Sequence, residues 1–282
     1  MAYIIGSYTI PDGSEPERWD LTTSNTNETY PVPFEPFSMM DNTNLGPSSL
    51  VVQGYTTSRT IFESIMAQYK KGGEIVCQMQ EWDGTARRLY GIAGGQARES
   101  KVGQRKGVYD YLMEFICADP YKYDTTIQYD GFSNVNTSDV AFTAASGELG
   151  TIQSYPIFVL KNSSGGALAN FKFYAGDGGS SITGNNIEIS LGSFANNTTR
   201  IIHPILYDTL NDVYVLRSAL TRSGTTTDIT SEDLRVTQLQ NSAISGVASG
   251  NWPEYPSGGG TIHCKTSSGT NVSVGLQWHA AY

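Results

Sequence analysis

The 282-residue chain has few of the residues on which catalytic and metal sites depend. It contains three histidines and three cysteines, and only 16% of its residues are charged. No spacing of His and Cys matches a zinc site, and no Asp-rich loop matches a calcium site. No Gly-x-Ser-x-Gly motif occurs, and no glycine-rich stretch opens a predicted helix as a phosphate loop does. We therefore predict no enzyme, no metal and no cofactor.

Four carboxylates are the remaining candidates for chemistry. A glycosidase needs a pair of them, but nothing in the spacing favours one pair over another. They are Glu188, Glu232, Asp233 and Glu254.

Long apolar runs are also missing. None reaches the length needed to cross a bilayer, and the first residues lack the basic-then-apolar order of a signal peptide. We expect neither a membrane protein nor an exported one. Cys77 and Cys117 lie on predicted apolar strand faces, so buried thiols in a reducing compartment are expected.

The net charge of −9 is unevenly distributed. Residues 59–106 hold nine basic and five acidic side chains, a local charge of +4 that leaves −13 for the remainder. Specific nucleic-acid binding is not expected of such an acidic chain, because binding DNA requires clustered cations. The basic segment is either a solvated face or a surface that docks on an acidic neighbour, for instance another copy of the chain.

Abundant Gly, Asn, Ser, Thr and Tyr predict a mainly β protein with one notable helix. The helix is expected at about residues 60–71, from an apolar stripe at helical spacing. Thr60 and Glu63 form a capping-box pattern, and Thr57 or Ser58 are alternative caps. Asp83-Gly84 predicts a type I′ hairpin turn that would pair Cys77 with Tyr90.

The chain is predicted to form two domains. An alternating strand over 108–117 is stopped by Asp119-Pro120, since proline cannot donate to a ladder. We place an N-terminal β domain at 1–123 and a polar connector at 124–150. Short strands separated by turn signals over 151–282 predict a jelly-roll β-sandwich. Trp252 and Tyr255 either stack on a sugar or partner, or close the end of the sandwich.

Three segments resemble the distal tail (Dit) proteins of long-tailed phages. Residues 114–123 look like the strand and exit that close their first domain, and Gly150-Thr151 with Tyr155-Pro156 is similar to the start of their second. Residues 252–262 and 272–282 resemble the turn and last strands of that domain. The chain departs at Ala118, where proline is common, and at Leu149, which replaces an asparagine. The exit motif consists of Asp119, Pro120, Tyr121, Lys122 and Tyr123.

The resemblance implies a structural protein of the virion tail that is assembled in the host cytoplasm. Its first domain would form a homohexameric ring between the tail tube protein and the baseplate hub or tail-tip protein. The second would be a galectin-like sandwich that carries side fibres or receptor-binding proteins. A carbohydrate-binding sandwich and another tail-tube or baseplate component are the alternatives. The candidate subunit contacts are Arg98, Lys101, Arg105 and Lys106.

Overall fold

The computed structural model describes most of the chain and divides it into two compact units, Met1–Lys122 and Tyr123–Tyr282. Among the described residues, one segment is α-helical and three antiparallel sheets hold most of the strands, which confirms the predicted mainly β class. The described residues are 3–26, 29–31, 38–40, 44–71, 74–81, 83–100, 107–117, 121–178, 182, 186–203, 206–208, 213–215, 219–236, 247–248, 252–267 and 272–282.

The first unit is a sheet with one helix. The sheet has the strand order β2-β1-β7-β8-β9-β6-β3, and β4 pairs with β5 separately. The elements are β1 (Tyr3–Ile5), β2 (Tyr8–Ile10), β3 (Arg18–Thr26), β4 (Thr29–Pro31), β5 (Ser38–Met40), β6 (Asn44–Thr56), α1 (Arg59–Tyr69), β7 (Glu74–Gln80), β8 (Ala86–Ser100) and β9 (Tyr109–Cys117).

Helix α1 packs its apolar stripe on one face of this sheet. Tyr69 meets Phe115 of β9 edge to face, with ring centroids 5.3 Å apart, and Phe62 lies against Tyr109 at 5.6 Å. Each fully buried side chain of this kind stabilises the unit by about 1.5–3 kcal/mol. The buried residues of α1 are Phe62, Ile65, Met66 and Tyr69. All four belong to the predicted apolar stripe, so the helix prediction is confirmed.

The start of α1 follows the alternative cap. The Ser58 hydroxyl accepts a hydrogen bond from the Ile61 amide at 3.4 Å. The capping box at Thr60 is therefore wrong, and Glu63 instead forms an ion pair with Arg59 at 2.7 Å.

The β7–β8 hairpin has a different turn from the one predicted. The Glu81 amide donates to the Thr85 carbonyl at 2.8 Å, and the Gly84 amide donates to Glu81 at 2.9 Å. Gly84 has φ +86°, a left-handed conformation that glycine adopts easily, and the Glu81–Thr85 pair makes the loop one residue longer than predicted. Cys77 consequently pairs with Leu89 rather than Tyr90, which places Leu89 in the core beneath α1.

The second unit is a β-sandwich, as expected from the turn spacing. Sheet I has the order β11-β22-β13-β16-β19, sheet II has the order β12-β21-β14-β15-β20, and β17 pairs with β18. Short 3₁₀ helices span Ser146–Glu148 and Leu234–Val236. The strands are β10 (Tyr123–Asp124), β11 (Gln128–Val135), β12 (Val140–Ala144), β13 (Ile157–Asn162), β14 (Leu168–Gly176), β15 (Asn186–Phe194), β16 (Thr198–Ile202), β17 (Leu206–Asp208), β18 (Val213–Val215), β19 (Ala219–Ser223), β20 (Val247–Ala248), β21 (Gly260–Thr266) and β22 (Val272–Trp278).

The sandwich core lies between the inner faces of sheets I and II. Phe158 of β13 meets Phe173 of β14 with ring centroids 5.1 Å apart. The predicted inward face of the last strand is confirmed, since Val272, Val274, Leu276 and Trp278 are all buried in this core.

The predicted connector over 124–150 is corrected by the structure. It contains β11 and β12, which pair with β22 and β21 and are therefore part of the sandwich. Both strands lie at the edges of their sheets. An edge strand needs few inward apolar residues, so this segment has the composition of a loop. Its buried apolar side chains are Val135, Phe142, Ala144 and Leu149.

The three cysteines are free thiols inside the two cores, which confirms the prediction for Cys77 and Cys117. Burial raises the pKa of the Cys77 and Cys264 thiols well above the ordinary value.

Candidate functional site

The exit motif contributes an ion pair within the first unit. Asp119 and Pro120 lie outside the described residues. Lys122 Nζ lies 2.5 Å from Glu81 Oε1, at the turn of the β7–β8 hairpin. The pair is partly exposed, so its contribution to the free energy of unfolding is about 1 kcal/mol or less. Tyr121 is half-buried and Tyr123 is buried, and we infer a structural role for this motif.

Trp252 and Tyr255 lie inside the sandwich, so of the two alternatives the structure supports a packing role rather than contact with a sugar or partner. Trp252 Nε1 donates to the Pro156 carbonyl at 3.0 Å, and the Tyr255 hydroxyl donates to the Phe142 carbonyl at 3.2 Å. Tyr255 is fully buried, and burial raises its pKa. The half-buried Tyr155 packs against the same core. These residues close the end of the sandwich.

The basic segment is only partly within the described residues. Arg98 lies in β8 opposite Leu112 of β9, and the last pair of this hairpin is Ser100 with Asp110. The Arg98 side chain and the whole of Lys101, Arg105 and Lys106 lie outside the described residues. Their role as subunit contacts stays a prediction.

The face of the first sheet opposite α1 carries apolar side chains that stay exposed. Ile92 and Ile116 are direct cross-strand neighbours with 43% and 41% exposure. Polar groups lie among them, because the Ser49 hydroxyl donates to Glu114 Oε1 at 2.9 Å on the same face. The face is therefore mixed in character.

The carboxylates considered for catalysis are tied to neighbouring side chains. Glu188 pairs with Lys172, Glu232 with Arg222 at 2.5 Å, and Asp233 with His279 Nε2 at 3.2 Å. Burial raises the pKa of the Glu254 carboxyl group. The backbone amide of Glu254 donates to Asp177 Oδ2 at 3.5 Å. Within the described part of the chain, no three His, Cys, Asp or Glu side chains are grouped as metal ligands. The same residues include no helix long and apolar enough to span a membrane.

The outer face of sheet I is covered by a segment whose packing there was not predicted from the sequence. Residues 227–234, here called the covering segment, lie across it and close a small cluster in which every side chain is at most 3% exposed. The cluster consists of Ile157, Val159, Ile201, Ile229 and Leu234. A sequence signal existed, because residues 157–160 form an unbroken apolar run, which is typical of a strand buried on both faces.

Side chains of the sheet hold the covering segment by its backbone. Gln277 Oε1 accepts from the Leu234 amide at 2.9 Å, and Gln277 Nε2 donates to the Ile229 and Glu232 carbonyls, both at 2.8 Å. Lys161 Nζ donates to the Thr227 carbonyl at 2.8 Å. These bonds satisfy polar groups that burial would otherwise leave unpaired.

Gly275 provides the room for this cover. A Cβ at this position would lie 2.8 Å from Ile229 Cδ1 and 3.1 Å from the Phe132 ring. Sheet I is thus shaped to receive Ile229, which identifies the covering segment as a built part of the sandwich.

The whole chain has the fold of a known phage protein. It matches the Dit protein of phage SPP1, described as a paradigm of the hub adsorption apparatus in phages that infect Gram-positive bacteria. The match covers 100% of this chain and 98% of that one, with a TM-score of 0.52 and 12% sequence identity. No protein-family model and no curated protein sequence matches the chain.

Two weaker likenesses involve the activated baseplate of phage p2. The form with strontium gives a TM-score of 0.45 at 7% identity, and the form with calcium gives 0.44 at 8%. Each match covers 96% of this chain and 92% of the other.

Proposed function

We propose that this protein is a distal tail hub protein, a structural component of a phage tail that catalyses no reaction. The observation that carries the proposal is the likeness to SPP1 Dit over nearly the full length of both chains. The exit motif and the Tyr155-Pro156 start of the sandwich agree with it, because they resemble the same family. A scaffold of this kind needs rigid sheets and contact surfaces, and it needs no catalytic group.

The first unit forms a homohexameric ring that joins the tail tube protein to the baseplate hub or tail-tip protein. A head-to-tail contact repeated around an axis closes as a ring when the rotation allows it. The second unit is a galectin-like sandwich that carries a side fibre or receptor-binding protein. The protein is assembled in the host cytoplasm and resides in the virion tail.

The basic stretch from Arg98 to Lys106, within residues 59–106, supplies one side of the ring contact. Residues 59–106 carry +4 in a chain of net charge −9, so one copy offers a positive surface to a negative neighbour. Complementary charge fixes the register of such a contact and steers its formation. The contributing side chains are Arg98, Lys101, Arg105 and Lys106.

Sedimentation equilibrium of the full chain tests the proposal. We expect a species with about six times the 30.6 kDa of one chain, alone or with the tail tube protein. A monomer under both conditions would refute the ring.

A charge reversal tests the contact separately. We expect the triple variant Lys101→Glu, Arg105→Glu and Lys106→Glu to dissociate the ring, because like charges then face each other. The control is Lys70→Glu with Lys71→Glu, which reverses two exposed charges at the end of α1 and should leave the ring intact. A ring that survives the triple variant would refute the contact without refuting the hub.

A carbohydrate-binding sandwich and another tail-tube or baseplate component are the alternative functions. The first can no longer rest on Trp252 and Tyr255, because both side chains are buried. It requires exposed aromatic residues elsewhere on the second unit.

A further inference from the structure

The covering segment leaves one strip of the outer face of sheet I open. Tyr129 and Phe132, both on edge strand β11, are 48% and 37% exposed. The cluster beside them on the same face is closed to 3% exposure or less. Leaving aromatic rings in water forgoes the stabilisation that their burial would provide. This strip is the exception on a face that the protein otherwise covers.

Strand register places both rings on the outer face. Tyr129 pairs with Gln277, whose side chain binds the covering segment on that side. Phe132 lies at a bulge in β11 and contacts the outer side of Gly275. Gly275 and Gln277 are two residues apart on one strand, so the two rings lie against positions about 7 Å apart along that strand. They form one continuous surface.

Polar groups lie beside the Phe132 ring at fixed positions. Lys161 Nζ lies 3.4 Å from the centroid of the Phe132 ring and also donates to the Thr227 carbonyl. Because an ammonium has three donors, Lys161 retains donors for a ligand. The Ser273 hydroxyl donates to Asn134 Oδ1 at 3.2 Å, which orients the Asn134 amide on the side of Phe132 away from Tyr129. The strip therefore combines an aromatic floor with oriented hydrogen-bonding groups.

We propose that this strip, formed by Tyr129, Phe132, Asn134, Lys161 and Ser273, binds two or three consecutive pyranose units of a polysaccharide. The C–H face of a pyranose ring is weakly positive and packs on the negative face of an aromatic ring. Tyr129 is the stacking platform, since Lys161 occupies one face of Phe132. The Lys161 ammonium beside Phe132 and the Asn134 amide, which is about 13 Å from Tyr129 along the strand, bind the hydroxyls of the sugar units that follow.

The area of the strip favours a sugar over a protein. A stable protein interface needs about 800 Å² on each partner. Two aromatic side chains offer at most about 250 Å² each, and here each is more than half covered. The neighbouring groups are the polar Thr227, Asn134 and Ser273, which extend the apolar area no further. A disaccharide or trisaccharide fits this size.

Saturation-transfer NMR with the full chain tests the site. The probes are cellotetraose, chitotetraose and maltotetraose, each at about 1 mM, because a shallow site is expected to bind in the millimolar range. We expect transfer to the C–H protons of one sugar face for at least one probe. Tyr129→Ala should reduce that signal about fivefold or more, because the stacking contact is lost.

Tyr55→Ala is the matched control. Tyr55 lies in the first unit with 44% exposure, close to that of Tyr129, and its replacement should leave the signal unchanged. Lys161→Met provides a second variant that keeps the length of the side chain and removes its donors, and it should also weaken the signal. Thermal unfolding of each variant identifies any loss that comes from misfolding.

Three outcomes would overturn the sugar site. They are no transfer from any probe, an equal loss in the Tyr55 and Tyr129 variants, and loss of a tail protein from particles assembled with Tyr129→Ala in the absence of any sugar signal. The last would identify a protein interface. Ring mass measured on the same variants keeps this test separate from the hub, because Tyr129→Ala should leave the mass unchanged.

Discussion

The two units differ in whether the outer face of a sheet is covered by another segment of the chain. The first unit places α1 on one face of its sheet and leaves Ile92, Ile116 and Tyr55 more than 40% exposed on the other. In the second unit, residues 227–234 cover the aliphatic outer face of sheet I. The contribution of an apolar side chain to stability therefore depends on whether another segment packs over it, more than on its residue type.

The largest expected effect compares two neighbours in β9. Phe115→Ala should lower the free energy of unfolding by about 3–5 kcal/mol, because it leaves a cavity beneath Tyr69. Ile116→Ala, on the opposite and exposed face, should lower it by less than about 1 kcal/mol. Urea denaturation of both variants measures the difference. Equal losses would show that the far face is as closely packed as the helix side.

A smaller effect is expected where the covering segment is attached. Gln277→Ala removes three hydrogen bonds and leaves the buried Leu234 amide without its partner. The cost should be about 2–3 kcal/mol, and hydrogen exchange of the Leu234 amide should accelerate about 30-fold or more. Gln53→Ala, on an exposed position of β6, is the control and should change neither quantity. Unchanged exchange at Leu234 would contradict the role of Gln277.

The smallest effect is a pH dependence of the covering segment. Hydrogen bonds from the Ser231 and Thr230 hydroxyls and from the Thr230 amide lower the pKa of Asp228 from 3.8 to about 2. Because the folded pKa lies below the unfolded value, this stabilisation is complete above about pH 4 and is lost as the pH falls towards 2.

Hydrogen exchange of the Thr230 amide as a function of pH measures this loss. Acid should accelerate exchange relative to a reference amide of the sandwich core such as Val159. In Asp228→Asn the dependence should disappear, because that side chain does not titrate. A dependence that survives in this variant would assign the effect to another group.

Local periodicity predicted the elements whose pattern is complete within one segment. The stripe from Phe62 to Tyr69 predicted α1, and the alternation over 272–278 predicted the inward face of β22. Both patterns arise because one side of an element is buried and the other is not. They can be recognised without knowing which segment packs against the buried side. The edge strands β11 and β12 were missed because an edge strand buries too few side chains to produce the pattern.

Composition and local periodicity were enough to predict the mainly β class, the position of the helix, and the burial of Cys77 and Cys117. They placed the start of the second unit too late, because β11 and β12 already belong to it. Contacts formed on folding establish the register of the β7–β8 hairpin, the burial of Trp252 and Tyr255, and the attachment of residues 227–234 to Gln277. Such contacts join residues that lie far apart along the chain. The Gln277–Ile229 bond joins residues 48 positions apart, and no local pattern records which distant segment will cover a face.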